Sequence, residues 1–206
     1  MTKPSLRKKA NRAFRLRSRS LVCVLEYPQL MANIMGIVRT SEALGIGKVC
    51  IINKGRVKLP KDWKIMREEP RLIKMSASGV KWLYVQMFSS TQECLDYLAK
   101  KKFTHVGTSP HQIGKKNVVL PKGRYTYHHL AVWLGNESIG LSQEALDACK
   151  FCIQIPMSGI IESMNLSSSA AITLFHVVEK RKEYTKRKLA RKAKKKSRVN
   201  YKPPHF

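Results

Sequence analysis

Residues 21–53 read LVCVLEYPQLMANIMGIVRTSEALGIGKVCIIN, and the alternation of apolar and polar groups within them decides the fold. Leu21–Glu26 has the apolar, β-branched composition of a buried strand. Over Asn33–Leu44 the spacing sets Ile34, Ile37, Val38 and Ser41 on one helical face, and Gly45 suits the position that ends such a helix. Lys48–Asn53 is a second strand. The same rhythm continues on both sides of a basic loop at 54–66. A helix is predicted near Arg71–Ala77, a strand at Trp82–Gln86, and a helix capped by Ser90 and Glu93 that runs to Lys102. Strands follow at Thr104–Thr108, Leu130–Gly135 and Phe151–Ile155, a short helix at Ser142–Ala148, and a long helix from near Asn165. Ser109–Tyr127, with its prolines and glycines, reads as a polar connection. This order predicts an α/β fold, a mostly parallel sheet with helices on both faces.

Such sheets bind ligands at the carboxyl ends of their strands. Three segments would place polar residues there: Asn33–Arg39, Leu134–Ser142 and Ile155–Ser167.

The charge is concentrated at the ends. The chain of 206 residues has 40 Lys+Arg against 13 Asp+Glu, a net +27. Residues 1–20 hold eight basic groups and no acid, and residues 180–206 thirteen basic groups and one acid, so the two ends supply +20. Residues 21–179 carry nineteen basic and twelve acidic groups, only +7. Polycations of this density bind polyphosphates by releasing condensed counterions, which points to nucleic acid. The tail lacks the bulky apolar face that membrane binding needs, and no run of eighteen apolar residues occurs. Five cysteines at irregular spacing, Cys149 and Cys152 forming a single CxxC, argue for reduced thiols packed in a core rather than for disulfides or a zinc site.

No GxGxxG follows the first strand, and neither a P-loop nor a GxSxG elbow is present. The three polar segments stand out instead. Taken singly, each has an ordinary structural reading: Asn33 or Asn165 as a helix cap, Arg39 on a solvated face, Gly135 and Gly140 as turns. Taken jointly and in this order, NIMGIVRTS (33–41), LGNESIGLS (134–142) and IPMSGIIESMNLS (155–167) closely resemble the three signature motifs of the SpoU/TrmH family of the SPOUT superfamily. The resemblance covers residues 21 to about 180, and the basic ends match the plan of the tRNA-type members.

That resemblance implies a deep trefoil knot in the C-terminal half and three parts: a basic extension at 1–20, a methyltransferase domain at 21–180 and a basic tail at 181–206. It implies S-adenosyl-L-methionine as cofactor, contacted by Thr108, Gly135, Ile155 and Met164, largely through backbone groups. It also implies a homodimer in which the Asn33–Arg39 segment faces the partner's cofactor site, RNA as partner, no metal and no membrane. The reaction would be 2′-O-methylation of a ribose in structured RNA, by resemblance the D-loop guanosine of tRNA. An rRNA target is the close variant, and a non-catalytic RNA-binding or ribosome-assembly protein that keeps the fold is the alternative class.

The candidate catalytic residues are Arg39, Asn33, Glu137, Ser163 and Asn165. A guanidinium stays protonated at pH 7, so Arg39 is better suited to gripping a phosphate and stabilising oxyanion charge than to taking a proton. Asn33 would orient the ribose or Arg39. Glu137 would either hold the site or accept a proton, and Ser163 and Asn165 would fix substrate and helix start. One departure is visible: the family usually has glycine after the acid of the second motif, where this chain has Ser138. If that turn needs a positive φ, serine costs on the order of 1 kcal/mol. A cytoplasmic protein is expected, with a mitochondrial one as the alternative because the first twenty residues are arginine-rich and acid-free.

Overall fold

The structure is a computed structural model that describes residues 5–109 and 117–199. The outer parts of both basic ends, 1–4 and 200–206, and part of the polar connection, 110–116, lie outside the described residues.

Among the described residues seven strands form one sheet: β1 (Ser18–Glu26), β2 (Ile46–Ile52), β3 (Tyr84–Phe88), β4 (Thr104–Thr108), β5 (Asn117–Val119), β6 (Leu130–Leu134) and β7 (Cys152–Gln154). Their order is β3-β2-β1-β6-β4-β7-β5, and every pairing is parallel. At the centre, Cys23 of β1 lies opposite Val49 of β2 and Val132 of β6. Alternation along each strand then makes two cores. Leu21, Cys23, Leu25, Ile51 and Val132 pack on one face, beneath α2 (Met31–Ala43), α4 (Pro70–Met75), α5 (Gly79–Trp82) and the first part of α8 (Leu166–Val199). Val22, Val24, Cys50 and Trp133 pack on the other, beneath α6 (Thr91–Lys100) and α7 (Gln143–Ala148). Burial on both faces is why these strands are continuous apolar runs, each large buried side chain contributing about 1.5–3 kcal/mol. The five cysteines form no disulfide among the described residues and are buried in these cores.

The predicted elements are present, with local differences. Helix α2 begins two residues before Asn33, and Gly45 takes φ +72° just past its end. Ser90 caps α6 as expected, but Glu93 reaches back to Ser89. The basic loop ends in a single turn, α3 (Trp63–Met66). The polar connection contains edge strand β5 and a 3₁₀ turn, Leu120–Lys122, so it is not wholly loop. Helix α1 (Leu6–Leu16) precedes the sheet. Among the described residues no helix is long and apolar enough to cross a membrane.

Helix α8 runs 34 residues without a break. Its first turns bury Ala170, Leu174 and Val177. Farther along, Arg181 donates to the carbonyls of Tyr125 (2.8 Å) and Tyr127 (2.6 Å) and to the Ser20 hydroxyl (2.9 Å), which anchors the helix where it leaves the core. Chain direction positions the site. After β1 the chain moves to β2 on one side; after β6 it moves to β7 on the other. The carboxyl ends of β1 and β6 therefore flank a topological switch point, where loops part and leave a crevice.

Candidate active site

Strand β1 ends at Glu26, and the chain enters α2 through Gln29 and Leu30, neither of which caps the helix with its side chain. The orphan N–H groups at this end are met from across the switch point. Beyond β6, Asn136 and Gly140 exchange two backbone hydrogen bonds (2.9 and 3.0 Å) and close a turn around Glu137. The Glu137 carboxylate accepts from the backbone N–H of Gln29 (2.8 Å), more weakly from that of Leu30 (3.3 Å), and from Asn33 Nδ2 (2.9 Å). It thus supplies the missing cap and sits at the positive end of the helix dipole. Partial burial pushes its pKa upward, but the bonds from Asn33 and from the Gln29 and Leu30 backbone outweigh this and hold it below its ordinary value.

Asn33 is buried, and its Oδ1 accepts from Asn165 Nδ2 at 3.0 Å. Asn165 Oδ1 in turn accepts from Ser167 N (2.9 Å) and Oγ (2.7 Å), capping α8. One side-chain relay, Glu137–Asn33–Asn165, therefore joins all three polar segments. The cap reading holds for Asn165 and fails for Asn33, which lies inside the first turn of α2 and faces inward.

The other candidates stand around this relay without joining it. Thr108 and Gly135 lie at neighbouring strand ends, with Thr108 Oγ1 donating to Trp133 O at 3.1 Å. Ile155 directly follows β7 and packs on the first core. Met164 is half-buried, its carbonyl facing the Ser169 hydroxyl at 3.4 Å. Ser163 is exposed and has no hydrogen bond among the described residues. Arg39 is likewise exposed and unpaired among them, with its backbone packed against Gly79 of α5. Six residues along a helix put it about 120° around and roughly 9 Å beyond Asn33. The relay and Arg39 therefore face different directions.

The expected strain at Ser138 is absent. Ser138 does not take a positive φ; Gly140 does, at +72°. Ser138 Oγ instead accepts from Gln29 Nε2 at 3.0 Å, a contact glycine could not make.

Three contributors were missed. Asn136 Nδ2 donates to Tyr27 O (2.7 Å) while its Oδ1 accepts from Ser138 N (2.8 Å), which sets the turn that aims Glu137. Gln29 links that turn to α2 through Asn136 Oδ1 at 2.9 Å. Glu26, buried at the end of β1, accepts from Ser142 N (2.8 Å), Ser142 Oγ (2.6 Å) and Thr91 Oγ1 (2.5 Å), tying the starts of α6 and α7 to the central strand. Its signal was a carboxylate closing an otherwise apolar strand.

The surroundings suit the cofactor implied by the resemblance. A Cβ on Gly135 would lie 2.2 Å from the carbonyl carbon of Gly140, so only glycine lets these two stretches of chain approach. Residues 157–163 form no backbone hydrogen bonds among the described residues, while Ile160 and Ile161 are exposed. Unengaged backbone donors beside apolar side chains can both hydrogen-bond and wall off an adenosine.

Comparison with known proteins agrees with this geometry. The model of the SpoU rRNA Methylase family matches residues 20–175. The chain is 27% identical over 176 residues to a tRNA (guanosine(18)-2′-O)-methyltransferase of Thermus thermophilus, covering 85% of this chain and 82% of that one. A protein of the same description from Borreliella burgdorferi is 27% identical over 165 residues, covering 79% and 68%. Among solved structures, the A. aeolicus TrmH/SpoU tRNA modifying enzyme superposes with a TM-score of 0.71 at 22% identity, covering 87% and 86%. The SpoU methyltransferase AviRb from Streptomyces viridochromogenes, solved in complex with AdoMet, gives 0.68 at 22%, covering 89% and 67%.

Proposed function

The chain belongs to the SpoU rRNA methylase family, and from that premise we propose that it is an S-adenosyl-L-methionine-dependent RNA methyltransferase acting on a ribose 2′-hydroxyl, with the D-loop guanosine of tRNA as its target. The observation that carries this reading is the Glu137–Asn33–Asn165 relay, which holds the three polar segments together at the switch point. The tRNA target is supported by the two relatives described as tRNA (guanosine(18)-2′-O)-methyltransferases.

The cofactor supplies a methyl group on an electrophilic sulfonium. Thr108, Gly135, Ile155 and Met164 hold it. Arg39 grips the phosphate beside the target ribose and stabilises the charge that develops on its oxygen. Asn33, fixed from both sides, sets the pitch of α2 and with it the place of Arg39, and Ser163 and Asn165 position the substrate. We read Glu137 as a holder of geometry rather than a base, because three donors occupy its carboxylate and favour the ionised form. Orientation dominates such a transfer, since the methyl must lie on the line of attack.

A homodimer belongs to the same proposal. Arg39 faces away from its own protomer's relay, and Leu30, Ile139, Ile160 and Ile161 are exposed near the strand ends, which supports a site completed by a second copy. So does a C-terminal trefoil knot, supported by β7 lying between β4 and β5 before the chain returns to α8 on the α2 face. Residues 1–20 and 181–206 serve as RNA-gripping extensions of the 21–180 domain. The cytoplasm is the proposed setting, supported by five buried cysteines that form no disulfide among the described residues.

The test is incubation with tritiated cofactor and separated tRNA and rRNA, then mapping of the labelled nucleotide. Label on a D-loop guanosine ribose is expected. Label in rRNA alone would move the target, and no label in either would favour a non-catalytic RNA-binding protein.

A further inference from the structure

Of the +7 net charge carried by residues 21–179, +6 falls within residues 54–82, which hold nine basic and three acidic groups. This stretch is the connection from β2 to β3, and the site described above uses none of its side chains. Eight of its nine basic residues are exposed.

The same stretch gathers aromatic rings at the free edge of the sheet. Among the described residues β3 pairs only with β2, which leaves its other edge without a strand partner among them. Trp82, the last residue of α5, and Tyr84, the first of β3, are 40% and 42% exposed. Trp63 meets Tyr84 edge to face at 5.2 Å, and Arg67 lies over Trp63 at 4.8 Å. Lys48 Nζ sits 4.7 Å above the Tyr84 ring. Between α3 and the β3 edge runs a groove of about 420 Å³, with Lys61, Asp62, Trp63 and Lys64 on one wall and Tyr84–Met87 on the other, so two lysines outweigh one carboxylate along it.

The patch is continuous with the basic N-terminal helix. Arg17, directly after α1, donates to the Trp82 carbonyl and pairs with Glu42 of α2 at 3.2 Å. It also borders α2 on the Arg39 side, where Gly79 packs against the Arg39 backbone. A strand lying across it would pass from α1 toward Arg39.

Cations interleaved with exposed rings suit unpaired RNA, whose phosphates meet the lysines while its bases stack. An acidic protein would satisfy the charge but leave the rings unexplained. We propose that residues 54–82 and the edge of β3 form a second RNA-docking surface that takes an unpaired stretch of the substrate in the groove between α3 and β3. The proposal rests on the RNA-methyltransferase reading for its partner.

The test uses the full chain, an oligouridylate of about twelve nucleotides and a duplex of equal length, a size within the reach of such surfaces. Lys61→Glu/Lys64→Glu/Lys81→Glu should lower the salt slope of oligouridylate binding by about two, at roughly 0.7 per contact. Trp82→Leu/Tyr84→Leu should weaken oligouridylate roughly tenfold, weaken the duplex far less, and leave the salt slope alone. Cofactor affinity by calorimetry should not change in either variant, which also shows that they fold. Unchanged affinity and slope in folded variants would overturn the proposal. So would polyglutamate binding as tightly as oligouridylate, lost with the lysines but not with the rings, which would assign the surface to an acidic protein. If the aromatic variant does not fold, 4-thiouridine crosslinking to the unaltered protein decides. Crosslinks in 61–64 or 82–87 uphold the surface; crosslinks confined to α1 and α8 sink it. Failure of the unaltered protein to methylate any RNA would refute the methyltransferase reading while these binding results stood.

Discussion

Asn33 Nδ2 lies 2.9 Å from Glu137 Oε1 and donates to it, so a residue inside the first turn of α2 is locked to a carboxylate 104 positions later in the chain. Losing Asn33 breaks this bond and the one from Asn165. Asn33→Ala should cost about 1–3 kcal/mol in denaturant unfolding, the range for stranding partly buried polar partners. An unfolding midpoint equal to that of the unaltered protein would show that the relay holds nothing.

The same carboxylate gives a pH signature. Its pKa is depressed in the folded state, so its stabilising effect is present above the unfolded value, about 4.3 for a glutamate, and fades as pH falls through the folded pKa. The stability gap between the unaltered protein and Glu137→Gln should therefore be widest near neutrality and narrow with acid. A gap constant from pH 7 to below 4 would mean that the ionised form is not the one being held.

Arg39→Ala should abolish methyl transfer while leaving the melting temperature and cofactor affinity nearly unchanged, since Arg39 is exposed and lies apart from the proposed cofactor residues. Turnover within about threefold of the unaltered enzyme, about 0.65 kcal/mol in the barrier, would remove it from the mechanism.

Gly135→Ala places a Cβ 2.2 Å from the Gly140 carbonyl carbon, and that neighbour is backbone that cannot swing aside. A loss of about 1–3 kcal/mol is expected from overpacking, together with weaker cofactor binding as the turn is displaced. Gly159→Ala, which meets nothing within 4 Å, should stay within about 0.5 kcal/mol. Equal effects of the two in thermal melts would contradict the close approach.

Residues 186–206 supply most of the charge in the basic tail. If roughly four to six of its cations reach phosphates, deleting it should flatten the salt dependence of RNA binding by about three to five units. Cofactor affinity and the choice of nucleotide should survive, because phosphate contacts position RNA without reading it. The apparent KM for RNA should then rise far more than kcat falls. An unchanged slope would show that the tail is not an RNA-binding element, and a new methylated nucleotide would show that it reads sequence.

The parallel sheet was legible because strands buried on both faces cannot avoid being apolar runs, as in Leu21–Leu25 and Leu130–Leu134. β5 was not, because three half-exposed edge residues in a polar stretch leave no such trace. The site was legible as three segments but not as a relay. Asn33 and Glu137 are far apart in sequence, and nothing in either segment says that one caps the other's helix. Asn136 and Gln29 were hidden for a related reason: each acts through a turn whose closure depends on Gly140, visible only once the chain has folded. The separate facing of Arg39 was available in principle, since helix geometry alone puts it a third of a turn from Asn33.

Helix α8 starts at the Asn165 cap within the site and continues unbroken for 34 residues, about 50 Å at 1.5 Å per residue. Such a helix is a ruler with a phase. Lys182, Lys186, Lys188 and Lys192, beyond the Arg181 anchor, each have a set distance and bearing from the reacting ribose, so the helix measures how far along an RNA the protein can hold while it works. One alanine inserted after Arg181 would turn Lys182, Lys186, Lys188 and Lys192 by about 100° while removing no charge, whereas seven would restore their bearing and lengthen the reach by about 10 Å. Composition would be the same in kind; only the gauge would differ.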